Sequence, residues 1–392
     1  MIPAIMPTYA RWDVDVDRGE GCYLYATNGR KYLDFTSGIA VTSLGHCHPH
    51  LVEAVSAQAK KLWHVSNLFN IPGQQRLAER LVANSFADTV FFNNSGAEAV
   101  ELAIKVARKY QSAAGHPERW RVIACHGSFH GRSFATLAAA GAEAYLKGFG
   151  PPMEGFDHVA FNNLNEMRAA VTSESAAILV EPVQGEGGVR APSAGYLQGL
   201  REICDEFGLM LVFDEVQSGM GRTGRLFAHQ WEGVAPDIMA VAKALGNGFP
   251  IGACLATEKA ASGMTPGTHG STFGGNPLAV AAGNAVLDVM TEPGFFERAN
   301  RIAKLLWTRL DAFAGAYPNL FQEVRGSGHL LGIRCLPALT AGDFVAKLRA
   351  EGLLCLTAGD NVLRILPPLT VGEGEIDEAM ATLNKVARQW PA

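Results

Sequence analysis

The chain has 392 residues, more than one ordinary domain and suited to two, or to one large and one small. Its net charge of −5 and pI near 6.1 exclude nucleic acid or an anionic membrane surface as the main partner. No apolar run approaches the roughly 18–20 residues of a membrane span.

The opening stretch MIPAIMPTYARWDVDVD has neither a basic n-region nor a long apolar h-region, so no secretory signal is expected. GCYLYATNGRKYLDF alternates apolar and polar positions around Thr27-Asn28-Gly29, which predicts a hairpin. Helical spacing begins after Pro49 and runs from His50 to about Lys61. From there to about residue 275, short apolar runs alternate with helical stretches. TVFF (89–92), RVIAC (121–125), AAILVE (176–181), LMLVFDE (209–215) and the run from Asp237 to Val241 predict strands. AEAVELAIKVARKY (97–110) and GYLQGLREICDEFG (195–208) predict helices between them. Strands separated by helices are βαβ units, hence an α/β fold with a mostly parallel sheet flanked by helices. Two helical stretches follow, then FQEVRGSGHLLGIRCL, another helix and LLCLTAGDNVLRILPP, the pattern of a smaller α+β domain. The expected division is a large domain over residues 50–275 and a small one built from 1–49 and 276–392. Seven cysteines, odd in number and never in a CxxC pair, predict reduced thiols in a cytoplasmic protein.

The chemistry starts at LMLVFDE, where Asp214 closes an apolar run. A carboxylate there lies at the carboxyl end of a buried strand, where open α/β sheets bind ligands. In PDIMAVAKALGNGFPIG, Lys243 sits in almost wholly apolar company, which favours the neutral, nucleophilic amine. Taken singly, Asp214 reads as a cap or ion-pair partner and Lys243 as a lysine snorkelling from a helix. Together they make the pairing that pyridoxal phosphate requires: a lysine to bond the aldehyde and an acid to hold the ring nitrogen protonated. VFFNNSGAEAVELAIK adds a strand, a tight turn through Asn94-Ser95-Gly96 and a long helix whose first amides suit a phosphate, although Ser-Gly is also an ordinary cap. GTHGSTFGGNP (267–277) joins glycines, a histidine and the Ser271 and Thr272 hydroxyls.

Two motifs point elsewhere and are set aside. Gly219-Met220-Gly221-Arg222-Thr223-Gly224 matches GxGxxG, but RLFAHQWEGVAPD after it is short, weakly periodic and not the helix that a dinucleotide fingerprint opens. GHCHPH (45–50) holds three histidines and a cysteine, yet no second cluster has metal-ligand spacing and Pro49 marks a helix start. No metal is expected.

NNSGAEA, HGSFHGR, EPVQGEGGV, FDEVQSGMGRTG, the Lys243 segment and GTHGSTFGGNPLA occur in the order found in class III aminotransferases of PLP fold type I, which this chain resembles from about Tyr9 to its C-terminal helix. Within that class, LDFTSGIAVTSLGHCHP, VSNLFNIPGQQRLAERL and GACLATEKAA resemble the acetylornithine branch. The resemblance implies that Lys243 holds pyridoxal 5'-phosphate, that Asp214 pairs with the ring nitrogen, and that Gln217 bonds the ring's phenolic oxygen. It places Phe129 and Val216 on the two ring faces and Ser95, Gly96 and Ala97 on the phosphate, helped by Thr272 of a second subunit in a homodimer. Many relatives carry threonine where this chain has Ala97, so only a backbone amide is expected there. Glu181 resembles an acid set behind the ring.

For substrate, Arg132 is implied for the donor's α-carboxylate and the distal carboxylate of 2-oxoglutarate, and Arg364 for the keto acid's α-carboxylate; bidentate carboxylate binding calls for arginine. Ser271 is a further implied substrate-binding residue. Glu186 resembles the acid that neutralises Arg364 while the ω-amino donor is bound. The implied reaction moves the terminal amine of N2-acetyl-L-ornithine to 2-oxoglutarate in two half-reactions. Ornithine aminotransferases carry tyrosine where this chain has Ile39, which disfavours free ornithine; succinylornithine, N-succinyl-diaminopimelate and 4-aminobutyrate stay open. An aminomutase and a non-catalytic PLP-fold binder are the readings from other classes.

Overall fold

The computed structural model describes residues 2–390. Its centre is a seven-stranded sheet in the order Thr89–Asn93, Gly252–Ala256, Ile238–Val241, Met210–Asp214, Ser175–Val180, Arg121–Cys125, Phe156–Val159. Every neighbouring pair from Ile238–Val241 to Phe156–Val159 is parallel, and Gly252–Ala256 runs antiparallel to both of its neighbours. The α/β class and mostly parallel sheet expected from the sequence are therefore present.

Strand pleating sends alternate residues to opposite faces, and each face has its own core. Val122, Leu179, Val212 and Ala240 meet the helix Gly96–Ala113 through Val100, Ala103, Ile104 and Ala107. Their chain neighbours Ile123, Ile178, Leu211 and Met239 point the other way, into a core shared with Leu197, Leu200 and Ile203 of Tyr196–Phe207. Helix Pro277–Met290 joins that second core and packs on Pro49–Ala59 and Pro72–Ala83. The periodic stretch foreseen from His50 to Lys61 is thus helix Pro49–Ala59, with proline in its first turn.

Two smaller sheets lie outside this layer. Phe321–Ser327, Leu330–Cys335, Val362–Ile365 and Leu356–Ala358 form one, all antiparallel. Val16–Glu20, Tyr23–Ala26, Lys31–Asp34 and Leu353–Leu354 form the other, so the N-terminal segment pairs with the C-terminal part of the chain. Tyr23–Ala26 and Lys31–Asp34 are the expected hairpin, turning through Gly29 at φ +82°. Helices Phe295–Ala316, Ala341–Ala350 and Glu373–Arg388 supply a separate core over these strands.

The GxGxxG-like run 219–224 is a series of turns, not a helix start. His46 of GHCHPH bonds Asp34 at 2.8 Å, and the main chain of His46 pairs with Gly21.

Leu211 is fully buried at the centre of the large sheet. Leu211→Ala is expected to lower unfolding free energy by about 2–5 kcal/mol in denaturant titration. A loss below about 1 kcal/mol would contradict this account of the core.

Candidate active site

A cavity of about 400 Å³ opens at the carboxyl edge of the large sheet. Segments following four of its strands converge there: Asn94–Ala97 after Thr89–Asn93, Phe129–Arg132 after Arg121–Cys125, Glu181 after Ser175–Val180, and Asp214–Gln217 closing and following Met210–Asp214. Ala242 and Lys243 line it from the end of Ile238–Val241. Of the residues singled out in the sequence, Lys243, Asp214, Ser95, Gly96, Ala97, Phe129, Val216, Gln217, Arg132 and Glu181 all line this one space.

Asp214 is buried, with one carboxylate oxygen accepting from the Val216 amide at 3.0 Å and the other 2.7 Å from His130 Nδ1. His130 is buried too, and its Nε2 has no hydrogen-bond partner among the described residues. Burial alone would favour the neutral ring, but the hydrogen bond and charge of Asp214 outweigh it and raise the His130 pKa. Glu181 accepts from the Phe129 amide at 3.1 Å and the Gly185 amide at 3.4 Å. Burial holds its carboxyl well above the usual range, opposed by His130 and reinforced by Asp214.

Lys243 has φ +45°, a left-handed backbone that costs a non-glycine residue roughly 1–2 kcal/mol. Such local strain at the end of a central strand is typical of functional positions. Burial lowers the Lys243 amine to about 8, with Glu186 resisting the shift and Arg364 adding to it. About a tenth of this lysine is therefore neutral at pH 7, far more than for an ordinary lysine.

Ser95 caps the helix Gly96–Ala113, its hydroxyl accepting from the Glu98 amide at 3.2 Å. A Cβ on Gly96 would lie 2.6 Å from Val216 Cγ1, so only glycine lets the helix start approach the cavity wall this closely. The result is an anion cradle of backbone amides at the positive end of an 18-residue helix.

Arg364 and Glu186 stand beside the cavity, tied to it through Gln217. Arg364 donates to both Glu186 oxygens, at 2.6 and 3.1 Å, and to Gln217 Oε1 at 3.1 Å. Burial would raise the Glu186 pKa, but the Arg364 charge reverses that and keeps the carboxylate ionised. Arg132 is exposed at the mouth, its guanidinium 3.9 Å from the Tyr145 ring centre. Ser271 reaches only the margin, accepting from Asn94 Nδ2 at 3.4 Å, and Thr272 is exposed and outside the cavity of its own chain.

Two residues were overlooked in the sequence. His130 lies between Phe129 and Arg132 in HGSFHGR, and a histidine inside an otherwise assigned motif was the available signal. Tyr145 carried none.

The family model for class-III aminotransferases matches residues 6–387. The chain belongs to the class-III aminotransferase family. It is 56% identical to the acetylornithine aminotransferase of Mesorhizobium japonicum, covering 98% of this chain and 96% of that one. Identity is 54% with the acetylornithine aminotransferase of Agrobacterium fabrum, over 99% and 97%. Among solved structures, N-acetylornithine aminotransferase from Stenotrophomonas maltophilia aligns with TM-score 0.85 and 39% identity over 97% of both chains. An ornithine aminotransferase from Toxoplasma gondii, described with PLP partially occupying its active site, aligns with TM-score 0.93 and 32% identity, over 98% of this chain and 92% of that one. The fold is accordingly that of the PLP-dependent fold-type-I transferases.

In the cofactor-free protein, acylation of Lys243 by a small amine-reactive reagent such as acetic anhydride, followed by mass spectrometry, is expected to be half-maximal near pH 8. Ordinary lysines titrate at about 10.4. A Lys243 profile that rises only near pH 10 would contradict the desolvated amine.

Proposed function

We propose that this aminotransferase moves the terminal amine of N2-acetyl-L-ornithine to 2-oxoglutarate, yielding N-acetyl-L-glutamate 5-semialdehyde and L-glutamate, as in arginine biosynthesis. One observation carries the reading: a desolvated lysine and a buried, histidine-backed aspartate share a cavity with a helix-start anion cradle, in a chain 56% identical to an acetylornithine aminotransferase.

Pyridoxal 5'-phosphate, when bound, supplies the electron sink for the substrate carbon that bears the amine. The residues present fit it. Backbone amides of Ser95, Gly96 and Ala97 take the phosphate, and Phe129 and Val216 flank the ring. Asp214 keeps the ring nitrogen protonated, and His130 holds the second carboxylate oxygen so that the first cannot swing away. Gln217 bonds the phenolic oxygen, and Glu181 backs the ring from behind Phe129. Lys243 Nζ would hold the cofactor, and its free amine would serve as the base that takes the proton from the substrate carbon.

The two substrates differ in where their carboxylates lie, and the arginines differ accordingly. Arg132, with no carboxylate of its own among the described residues, takes the α-carboxylate of the acetylated donor and the distal carboxylate of 2-oxoglutarate. Arg364 stays neutralised by Glu186 while the donor reacts. It is then claimed by the α-carboxylate of the keto acid when Glu186 moves aside. A buried guanidinium left alone is costly, so one carboxylate replaces another rather than leaving a gap.

The same reading makes the enzyme a cytoplasmic homodimer with shared sites. Thr272 is exposed and outside its own cavity, which leaves it free for the role the family resemblance implies, on the phosphate of the neighbouring copy. Leu68 and Phe69, 90% and 65% exposed, supply apolar surface for that contact.

Lys243→Ala is expected to lower kcat by at least roughly 10³-fold in a coupled glutamate assay; a variant of near-normal turnover would end the assignment. Arg364→Ala is expected to slow the 2-oxoglutarate half-reaction about 10²-fold while leaving the donor half-reaction within about fivefold. Single-turnover measurement of each half decides, and equal damage to both would remove Arg364 from its proposed role.

A further inference from the structure

The two arginines assigned to substrate carboxylates are held in opposite ways. Arg364 is buried and clamped by a carboxylate and an amide oxygen. Arg132 is exposed, and none of its N–H groups bonds another described residue. A free arginine explores many rotamers, and ordering it on substrate binding weakens that binding. Something must hold its plane without occupying its donors.

The Tyr145 ring does this. Its centre lies 3.9 Å from Arg132 Cζ, a direct face contact, while Phe129 stands 5.6 Å from the same carbon. Phe129 and Tyr145 meet edge-to-face, with centroids 6.1 Å apart and planes at 89°. The guanidinium thus sits beside a right-angled pair of rings, one of which lines the cofactor cavity. Stacking uses the flat face of the guanidinium and leaves its in-plane N–H groups free for a carboxylate. A holding carboxylate would instead compete with the substrate for those donors, as Glu186 does at Arg364.

The backbone places Tyr145 there by a specific device. It rides on the single-turn helix Glu143–Leu146, bounded by Gly141 at φ +62° and Gly148 at φ +87°. A Cβ on Gly141 would lie 2.5 Å from His158 Nε2, so this glycine also fixes how closely the turn approaches the strand Phe156–Val159.

We propose that Tyr145 is a positioning residue for substrate carboxylates: its ring pre-orients Arg132 and thereby selects ω-amino donors that carry an α-carboxylate. This rests on the reading of Arg132 given above. The test compares steady-state kinetics of the PLP-loaded wild type, Tyr145→Ala and Tyr145→Phe with N2-acetyl-L-ornithine and with N-acetyl-1,4-diaminobutane, the same amine lacking the carboxylate. Tyr145→Ala should raise the donor KM about five- to tenfold with kcat within about twofold, and should leave the KM of the carboxylate-free amine unchanged. Tyr145→Phe keeps the ring and should behave as wild type. In an Arg132→Ala background, Tyr145→Ala should add no further rise, because the two act as one unit. The proposal is overturned if Tyr145→Ala keeps the wild-type donor KM, if Phe fails as badly as Ala, if both amines are affected alike, or if the two losses add. Should the wild type reject acetylornithine but use another α-carboxylate-bearing ω-amine, the substrate assignment falls alone, and the same variants measured on that donor decide the role of Tyr145.

Discussion

Charge compensation without water governs this site. Asp214, Glu181, Glu186, Lys243 and Arg364 crowd around one cavity at the sheet edge, where the usual solvation of each ion is mostly gone. A buried charge must be paired, shared or neutralised, and each of these outcomes is present. Arg364 and Glu186 are paired in a bidentate clamp. Asp214 shares its charge with His130 and a backbone amide. Glu181 has only two backbone amides and Lys243 no charged partner in contact among the described residues, and burial drives both toward their neutral forms. On the proposed role of Lys243, the last effect would make the lysine a nucleophile and a base at moderate pH, so the feature that burdens folding would be the one that chemistry uses.

The fold prepares this arrangement by ending several strands at one edge. Parallel neighbours deliver Asp214 and Glu181 side by side, and the next strand delivers Lys243 on a left-handed backbone. The helix start at Ser95 arrives from the far edge strand, its approach set by the missing side chain of Gly96 against Val216. None of these residues needs to move far for the others to act. The cofactor is met by a wall already formed, consistent with the demand that electrostatic groups be oriented before reaction.

Much of this could be read from residue patterns, because buried parallel strands are continuous apolar runs and helices keep their 3.6-residue period. The two strands of the large sheet that were not foreseen show where that signal fails. Phe156–Val159 is FDHV, half polar at the sheet edge, and Asp157 is spent on an ion pair with Arg121. Gly252–Ala256 is GACLA, without a β-branched residue, and is held by pairing with strands on both sides rather than by its own propensity. The site shows the same limit. Lys243, Asp214 and the Ser95 turn stand out locally, whereas His130 matters only because it meets Asp214 across 84 positions of sequence. Tyr145 likewise gains meaning only from the guanidinium it covers.

The contrast between Arg364 and Arg132 connects these threads. Both are assigned carboxylates, but only one must also tolerate the absence of a carboxylate. Arg364 is buried, so it requires a resident anion, and Glu186 is that anion; on the proposed role it would then compete with the keto acid. Arg132 lies in solvent, which already stabilises its charge, so it needs orientation rather than neutralisation. Aromatic faces provide orientation alone. An acid beside Arg132 would be redundant for charge and harmful for donor binding, while an aromatic ring beside Arg364 would leave a buried cation unpaired. Burial therefore decides which kind of partner each arginine has, and on the proposed roles those partners would let one cavity take two substrates of different shape.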